Sequence, residues 1–414
     1  MENFKPGLFE DPWKIPLDKI DVSNPDLFEQ NAFWPYFERL RKDDPVHYCA
    51  ESDFGPFWSI TKYEDIMHVD THHKIFSSDG AITLIDPDAD FKTTSFIAMD
   101  QPRHDVERKS VQGVVSPTNL MSLEPIIRER ASKILDELPV GETFNWVQKV
   151  SIELTTQMLA TLFDFPFEKR YNLTHWSDTA TALRIEHGGT MTKEYREKEL
   201  LECLAAFTEL WNERIKWDKP GNDLISMMAH NPDTQNLKPM EFLGNLILLI
   251  VGGNDTTRNS ISGGVIALNE NPEQYQKLRD NLDLIPNMIP EIIRWQTPLT
   301  YMRRTALEDT ELRGKQIKKG DKVLMWYVSG NRDEDAIESP NEFRIDRANA
   351  RRHLSFGFGI HRCMGNRMAE MQLRVVWEEI MKRFRMVEIM GEPIRVRSNF
   401  VKGISELPVQ VHPW

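Results

Sequence analysis

The sequence predicts a mainly α-helical fold with small β-sheets, and three observations carry that expectation. Apolar residues recur at three- and four-residue spacing through much of residues 102–269 and again over 367–383, the period of a helix with one buried face. Runs that read as strands are short and sit beside turn residues. Prolines are scattered rather than gathered at a boundary, and no repeat or low-complexity linker divides the 414 residues. A single domain covering 1–414 is therefore expected.

In chain order, residues 47–49 and 57–60 flank Phe54-Gly55-Pro56, a turn signal, and predict a hairpin. Helical spacing marks 123–138 and 150–163. Gly188-Gly189 breaks a helix pair, and 193–217 reads as a long amphipathic helix stopped at Pro220-Gly221. Residues 237–269 read as another long helix with an apolar face throughout, hence buried. After Arg303, extended pieces such as 322–328 alternate with turns, and 367–383 returns to helix.

The 51 Lys and Arg against 64 Asp and Glu leave a formal charge of −13, which argues against a nucleic-acid partner that needs a basic face. Residues 1–13 lack an apolar signal core, and the longest apolar run, 242–251, is broken by Gly244 and Asn245. That is far short of the ~20 residues of a membrane span, so a cytoplasmic, monomeric protein is expected. Three separated cysteines, Cys49, Cys203 and Cys363, form no disulfide framework and point to a reducing compartment.

Only Cys363 has an unusual setting, Phe356-Gly357-Phe358-Gly359-Ile360-His361-Arg362-Cys363-Met364-Gly365. Its glycines allow positive φ and close approach of a flat ligand. A following helix N-terminus favours a thiolate, which is a soft, electron-donating ligand for iron. A plain buried cysteine is the alternative, and is preferred for Cys49 and Cys203. A dinucleotide loop is excluded because Arg362 stands where its third glycine belongs.

This stretch matches the haem signature Phe-Gly-x-Gly-x-His-x-Cys-x-Gly at every fixed position, and the chain resembles the cytochrome P450 superfamily. The resemblance implies that superfamily's fold, with haem b buried between a long distal helix and a proximal cysteine loop. It makes Cys363 the iron ligand, with Phe356 in its loop. Glu291-Ile292-Ile293-Arg294 matches the superfamily's Glu-x-x-Arg, so Glu291 and Arg294 would form a structural ion pair rather than the surface bridge such spacing usually means.

Gly252-Gly253-Asn254-Asp255-Thr256-Thr257 interrupts the long apolar helix with residues that are poor helix formers. A kink, or Thr256 bonding to a carbonyl one turn back, would explain it without chemistry. By resemblance it is the oxygen-activation motif, with Gly252 and Gly253 making room for O2 as co-substrate, Thr256 acting there and Asp255 relaying protons. His104 and Arg108 match a His-x-x-x-Arg element. With Arg304 and His361, and less clearly Arg303, they would meet the haem propionates, which need cationic partners when buried.

The runs 252–264, 99–106, 301–306 and 329–334 are similar to the bacterial alkane hydroxylase family, which oxidises terminal methyl groups of medium-chain alkanes and often of fatty acids. An apolar pocket suits such a substrate. Its expected walls are Ile82, Leu84 and Ile85; Leu248 and Leu249; Pro298, Leu299, Thr300 and Met302; and Phe400 and Val401. Hydroxylation of a terpenoid or other secondary metabolite, and a non-catalytic haem-thiolate sensor, are the alternatives. The sequence closes at Trp414 without a flavin or iron–sulfur domain, so electrons are expected from a [2Fe–2S] ferredoxin served by a flavin-containing reductase. Arg351, Arg352 and Arg367 form a basic exception beside Cys363 where an acidic donor could dock; pairing within the fold is the other reading.

Overall fold

Residues 9–414 are described here by a computed structural model. The expectation for 1–13 therefore falls in part, over 1–8, outside the described residues. Among the described residues no helix is long and apolar enough to cross a membrane.

The expected hairpin forms. Val46–Cys49 pairs antiparallel with Phe57–Ile60, and Gly55 turns the chain at φ +76°. Phe57–Ile60 then runs parallel to Lys322–Met325, which pairs antiparallel with Met302–Ala306, and Phe76–Ser77 closes the far edge. This five-stranded sheet gathers segments almost 300 residues apart. Successive strand residues point to opposite faces, so Arg303 and Arg304 cannot serve the same site. The extended run expected over 322–328 ends at Met325, and Tyr327–Gly330 turns into a short helix.

Helices carry most of the chain. Pro117–Asp136 starts on Ser116, whose Oγ accepts from the Asn119 amide at 3.4 Å, with Pro117 fitting the first turn. The segment expected over 150–163 divides into a wide π turn, Val147–Ile152, and the helix Glu153–Phe163. Lys193–Arg214 stops three residues before the expected end at 217; Gly188, at φ +74°, makes the turn before it.

The long helix is Pro239–Glu270. Glu241 Oε2 accepts from the Lys238 amide at 3.0 Å, and Pro239 sits where its missing N–H costs nothing. It packs against Tyr171–Thr181, Glu153–Phe163 and Ile285–Gln296, and is buried almost continuously from Asn254 to Leu268. The largest core cluster surrounds it. A second cluster stacks Phe28, Phe33, Phe37, Tyr301 and Trp326, and a third joins Tyr63, Ile66, Tyr327 and Leu354.

Candidate functional site

The cysteine loop is suspended from the Ile285–Gln296 helix by a buried polar network. Both oxygens of Glu291 accept from Arg294, at 2.8 Å each, and neither side chain is exposed. Glu291 also accepts from Arg347 Nε at 3.0 Å and from the Arg344 amide at 2.9 Å. Burial alone would raise its pKa, but the Arg294 bonds and the Arg294 and Arg347 charges outweigh that and hold it low. Arg294 further donates to the carbonyls of Asn331, Pro340 and Glu342, at 2.9, 2.8 and 3.1 Å. Asn331 then accepts from the Leu354 amide at 2.7 Å and donates to Ser355 Oγ at 2.9 Å, and Ser355 Oγ donates to the Ile293 carbonyl at 2.9 Å.

From Ser355 the backbone closes on itself. Gly357 donates to the Leu354 carbonyl at 2.7 Å, and the Cys363 amide to the Phe356 carbonyl at 2.8 Å. Gly357 and Gly359 stand at φ +63° and +65°, where side chains strain. The reason for glycine is also local crowding: a Cβ on Gly359 would lie 2.4 Å from the Asp70 carbonyl, and one on Gly357 would lie 3.2 Å from Asp70 Oδ2. Asp70, in the last turn of the helix Tyr63–Thr71, presses on both glycines. The helix Asn366–Arg383 begins three residues past Cys363. Burial pushes the Cys363 thiol up, while the Gly365 and Asn366 amides and the Arg108 and Arg362 charges work against that. Its open surface belongs to the wall of a cavity.

That cavity lies between the cysteine loop and the long helix. Cys363, Phe356, Met364 and Met368 line one side, and Leu248, Leu249, Gly252, Gly253 and Thr256 another. Phe96, Ile97, Leu159, Pro298, Leu299, Met302, Arg108, Arg304 and His361 contribute the rest of the walls that matter here. Among the described residues, Arg108 and Arg304 are the only Lys, Arg, Asp or Glu side chains that line it. A Cβ on Gly252 would meet nothing within 4 Å, so that position opens into the space; one on Gly253 would press Leu159 at 2.8 Å.

Thr256 turns its hydroxyl back to the Gly252 carbonyl at 2.8 Å. Asp255 is not among the cavity-lining residues. It is fully buried, with Oδ1 2.8 Å from Arg258 Nη2 and 3.3 Å from Asn254 Nδ2, and Oδ2 accepts from Thr181 Oγ1 at 3.4 Å. Burial pushes its pKa up, against the pull of Arg258. Arg258 also holds Asp178, a half-exposed residue, at 2.6 Å. The buried acid, one residue along from the cavity alcohol, is thus linked through Arg258 to the protein surface.

The expected wall residues divide. Leu248, Leu249, Pro298, Leu299 and Met302 line the cavity; Ile82, Leu84, Ile85, Thr300, Phe400 and Val401 do not. The Ile82 carbonyl accepts from the Arg303 amide at 2.8 Å, and Leu84, Ile85 and Phe400 pack in the Tyr301–Trp326 cluster. Thr300 is buried and donates to the Asn399 carbonyl, and Val401 is bridged to Leu299. In extended chain, neighbours of a cavity-facing residue face away from it. Arg303 follows the same rule, reaching Asp86 at 2.6 Å, whereas Arg304 lines the cavity.

Haem b, the group implied by the signature, fits the residues present. Buried ring nitrogens are left without partners on His104 (Nε2) and His361 (Nδ1 and Nε2), whose rings meet edge to face at 4.4 Å. Burial and the neighbouring Arg304 charge push His361 down to about 2, so it is neutral and able to donate. Arg108 donates to the Arg362 carbonyl at 2.5 Å and Arg304 to Asp70 at 2.7 Å, each keeping further donors. A Cys thiol, spare donors for acidic groups and a wall position without a side chain suit a flat iron-bearing ligand with carboxylates.

Sequence reading missed Asp70, Tyr327, Asn331, Arg258 and Asp178, whose partners are remote in the chain or on another element, and Phe96 and Ile97 on the cavity wall. Of the proposed docking arginines, Arg351 pairs with Glu370 at 2.8 Å and Arg352 with Glu64 at 3.4 Å; these two and Arg367 are exposed.

A family profile described as "Cytochrome P450" matches residues 183–410. A solved structure, cytochrome P450-153 from Novosphingobium aromaticivorans, superimposes with a TM-score of 0.89 at 44% identity, covering 97% of this chain and 100% of that one. Linalool 8-monooxygenase of Pseudomonas putida is 35% identical over 96% of this chain and 100% of its own length. A methyl-branched lipid omega-hydroxylase of Mycobacterium bovis is 30% identical over 96% of each chain.

Proposed function

This chain belongs to the cytochrome P450 superfamily of monooxygenases, and on that premise we propose that it hydroxylates the terminal methyl group of medium-chain alkanes or fatty acids to a primary alcohol. The observation that carries the reading is the cavity. It joins Cys363 to Thr256 between apolar walls, with no acidic side chain among the described residues that line it. Its two arginines are the ones the cofactor's carboxylates would occupy, so an uncharged chain suits it better than a fatty acid. The similarity to an omega-hydroxylase supports attack at a chain end.

Haem b, bound through Cys363, supplies the iron chemistry that activates O2 and oxidises a C–H bond. The protein does the rest. Leu248, Leu249, Leu299 and Met302 exclude water and force a chain to approach end-on, which is needed because a terminal C–H bond is stronger than its neighbours. Gly252 keeps space for a small diatomic molecule. Thr256 Oγ holds a proton at the cavity wall, and Asp255, the adjacent buried acid, replenishes it with a proton from solvent; Arg258 stays charged and tethers Asp255 to Asp178 at the surface. Terpenoid hydroxylation is the second reading, favoured by the 35% identity to linalool 8-monooxygenase.

With a [2Fe–2S] ferredoxin, its flavin reductase and NADH, octane should yield 1-octanol as NADH is consumed; absence of oxygenated product would overturn the proposal. In Thr256→Ala the product formed per NADH should fall at least about tenfold, with hydrogen peroxide appearing instead. Tightly coupled turnover in that variant would remove Thr256 from the mechanism.

Electron delivery is proposed at the face carrying Arg351, Arg352 and Arg367, a basic patch on a chain of net charge −13. Rim charges act mainly on encounter. Reversing all three to Glu should raise the KM for an acidic ferredoxin about tenfold or more while kcat changes little. An unchanged KM would move the docking face elsewhere.

A further inference from the structure

One buried acid outside the expected set joins the cofactor-facing arginine to the cysteine loop. Asp70 lies in the last turn of the helix Tyr63–Thr71 and is 2% exposed. Its Oδ1 accepts from Arg304 Nη2 at 2.7 Å. Its Oδ2 accepts from the Phe358 amide at 2.7 Å and from the Tyr327 hydroxyl at 3.1 Å. The Asp70 backbone lies against Gly359, where no Cβ fits. Three segments remote in sequence thus converge on one carboxylate: the strand bearing Arg304, the short helix opening with Tyr327, and the loop five residues before Cys363.

A buried carboxylate so bonded is retained at a cost in desolvation, which a neutral packing residue would not incur. What it supplies here is direction and charge. It anchors one nitrogen of the Arg304 fork, while Nη1 donates to the Arg303 carbonyl at 2.9 Å. The remaining donors are left for the cavity that Arg304 lines with His361 and Cys363. Its negative charge also offsets the Arg304 cation in a region of low dielectric, where such fields act strongly.

We propose that Asp70 is a positioning residue that sets the reduction potential of the cofactor through Arg304, keeping the iron harder to reduce than Arg304 alone would leave it. This rests on the haem-thiolate reading above. Iron that gains an electron is stabilised by uncompensated positive charge nearby, so removing the Asp70 charge favours the reduced form. Tyr327 acts in the opposite sense, because its hydroxyl draws off part of the carboxylate's charge.

The test is spectroelectrochemical titration of the haem-loaded protein, with the ferrous–CO spectrum recorded on the same samples. Asp70→Asn, which keeps the shape and loses the charge, should shift the reduction equilibrium about tenfold toward ferrous, about 59 mV for one electron. Tyr327→Phe should shift it the other way, by about twofold or more, and it decides the matter if Asp70→Asn fails to load haem. A purely structural role predicts lowered thermal midpoints with a reduction potential equal to wild type, and that result would overturn the proposal. A wild-type protein lacking the thiolate ferrous–CO band would instead overturn the haem-thiolate reading on which it rests.

Discussion

Cys363→Ala is expected to abolish the thiolate form of the ferrous–CO spectrum and to lower hydroxylation by more than about a hundredfold, beyond the 10–100-fold typical for loss of an outer partner. The loop should survive the change. Its closure depends on backbone bonds, Cys363 N to the Phe356 carbonyl and Gly357 N to the Leu354 carbonyl, and on the Arg108 clasp to the Arg362 carbonyl. None uses the sulfur. Arg108, Arg304, His104 and His361 also remain to hold acidic groups of a cofactor. The variant should therefore still take up haem, without the sulfur that would hold the iron and without the electron donation it would supply. An unaltered ferrous–CO spectrum would show that another group ligates the iron.

Arg294→Ala should be the most damaging change away from the cavity. It leaves the carbonyls of Asn331 and Pro340 without their guanidinium donor and removes the main counter-charge of Glu291, all in a fully buried region, while the Glu342 carbonyl keeps its bond from Arg347. Breaking one partner from a buried pair costs about 3–5 kcal/mol, a large share of the 5–15 kcal/mol by which domains are typically stable. Because Asn331 ties this helix to Leu354 and Ser355, the damage should reach the cysteine loop. Most of the haem-loaded protein should be lost, and the remainder should melt at a lower temperature. Wild-type haem content and thermal midpoint in Arg294→Ala would contradict the role assigned to the pair. Since Glu291 titrates below its ordinary value in the folded protein, its contribution is present above about pH 4.3 and is lost as pH falls through the lower folded value.

Much of this architecture is legible in the sequence, for reasons that particular elements make plain. The long helix is readable because an apolar face persists along it despite the polar break at 252–257, and the cysteine loop because fixed glycine, histidine and cysteine spacings admit few other uses. The wall of the cavity is half legible. Leu248 and Leu249 follow from the helix that bears Thr256, but Leu84, Ile85 and Phe400 look the same in sequence whether they face the cavity or the Trp326 cluster. Helical period carries a hint of the relay acid: Asp255 lies about 100° from Thr256 around the helix, so a cavity-facing alcohol implies an acid turned toward its neighbour helix. Asp70 has no local signal, since each of its three partners is more than 200 residues away.

The central claim, that this P450 cavity presents a chain end to the iron that Cys363 would hold, is tested most directly by the position of the new hydroxyl group. Octane turned over with ferredoxin, reductase and NADH should give 1-octanol as the dominant alcohol, despite the stronger terminal C–H bond. Predominance of 2-octanol and internal alcohols, in the order of bond strength alone, would contradict it.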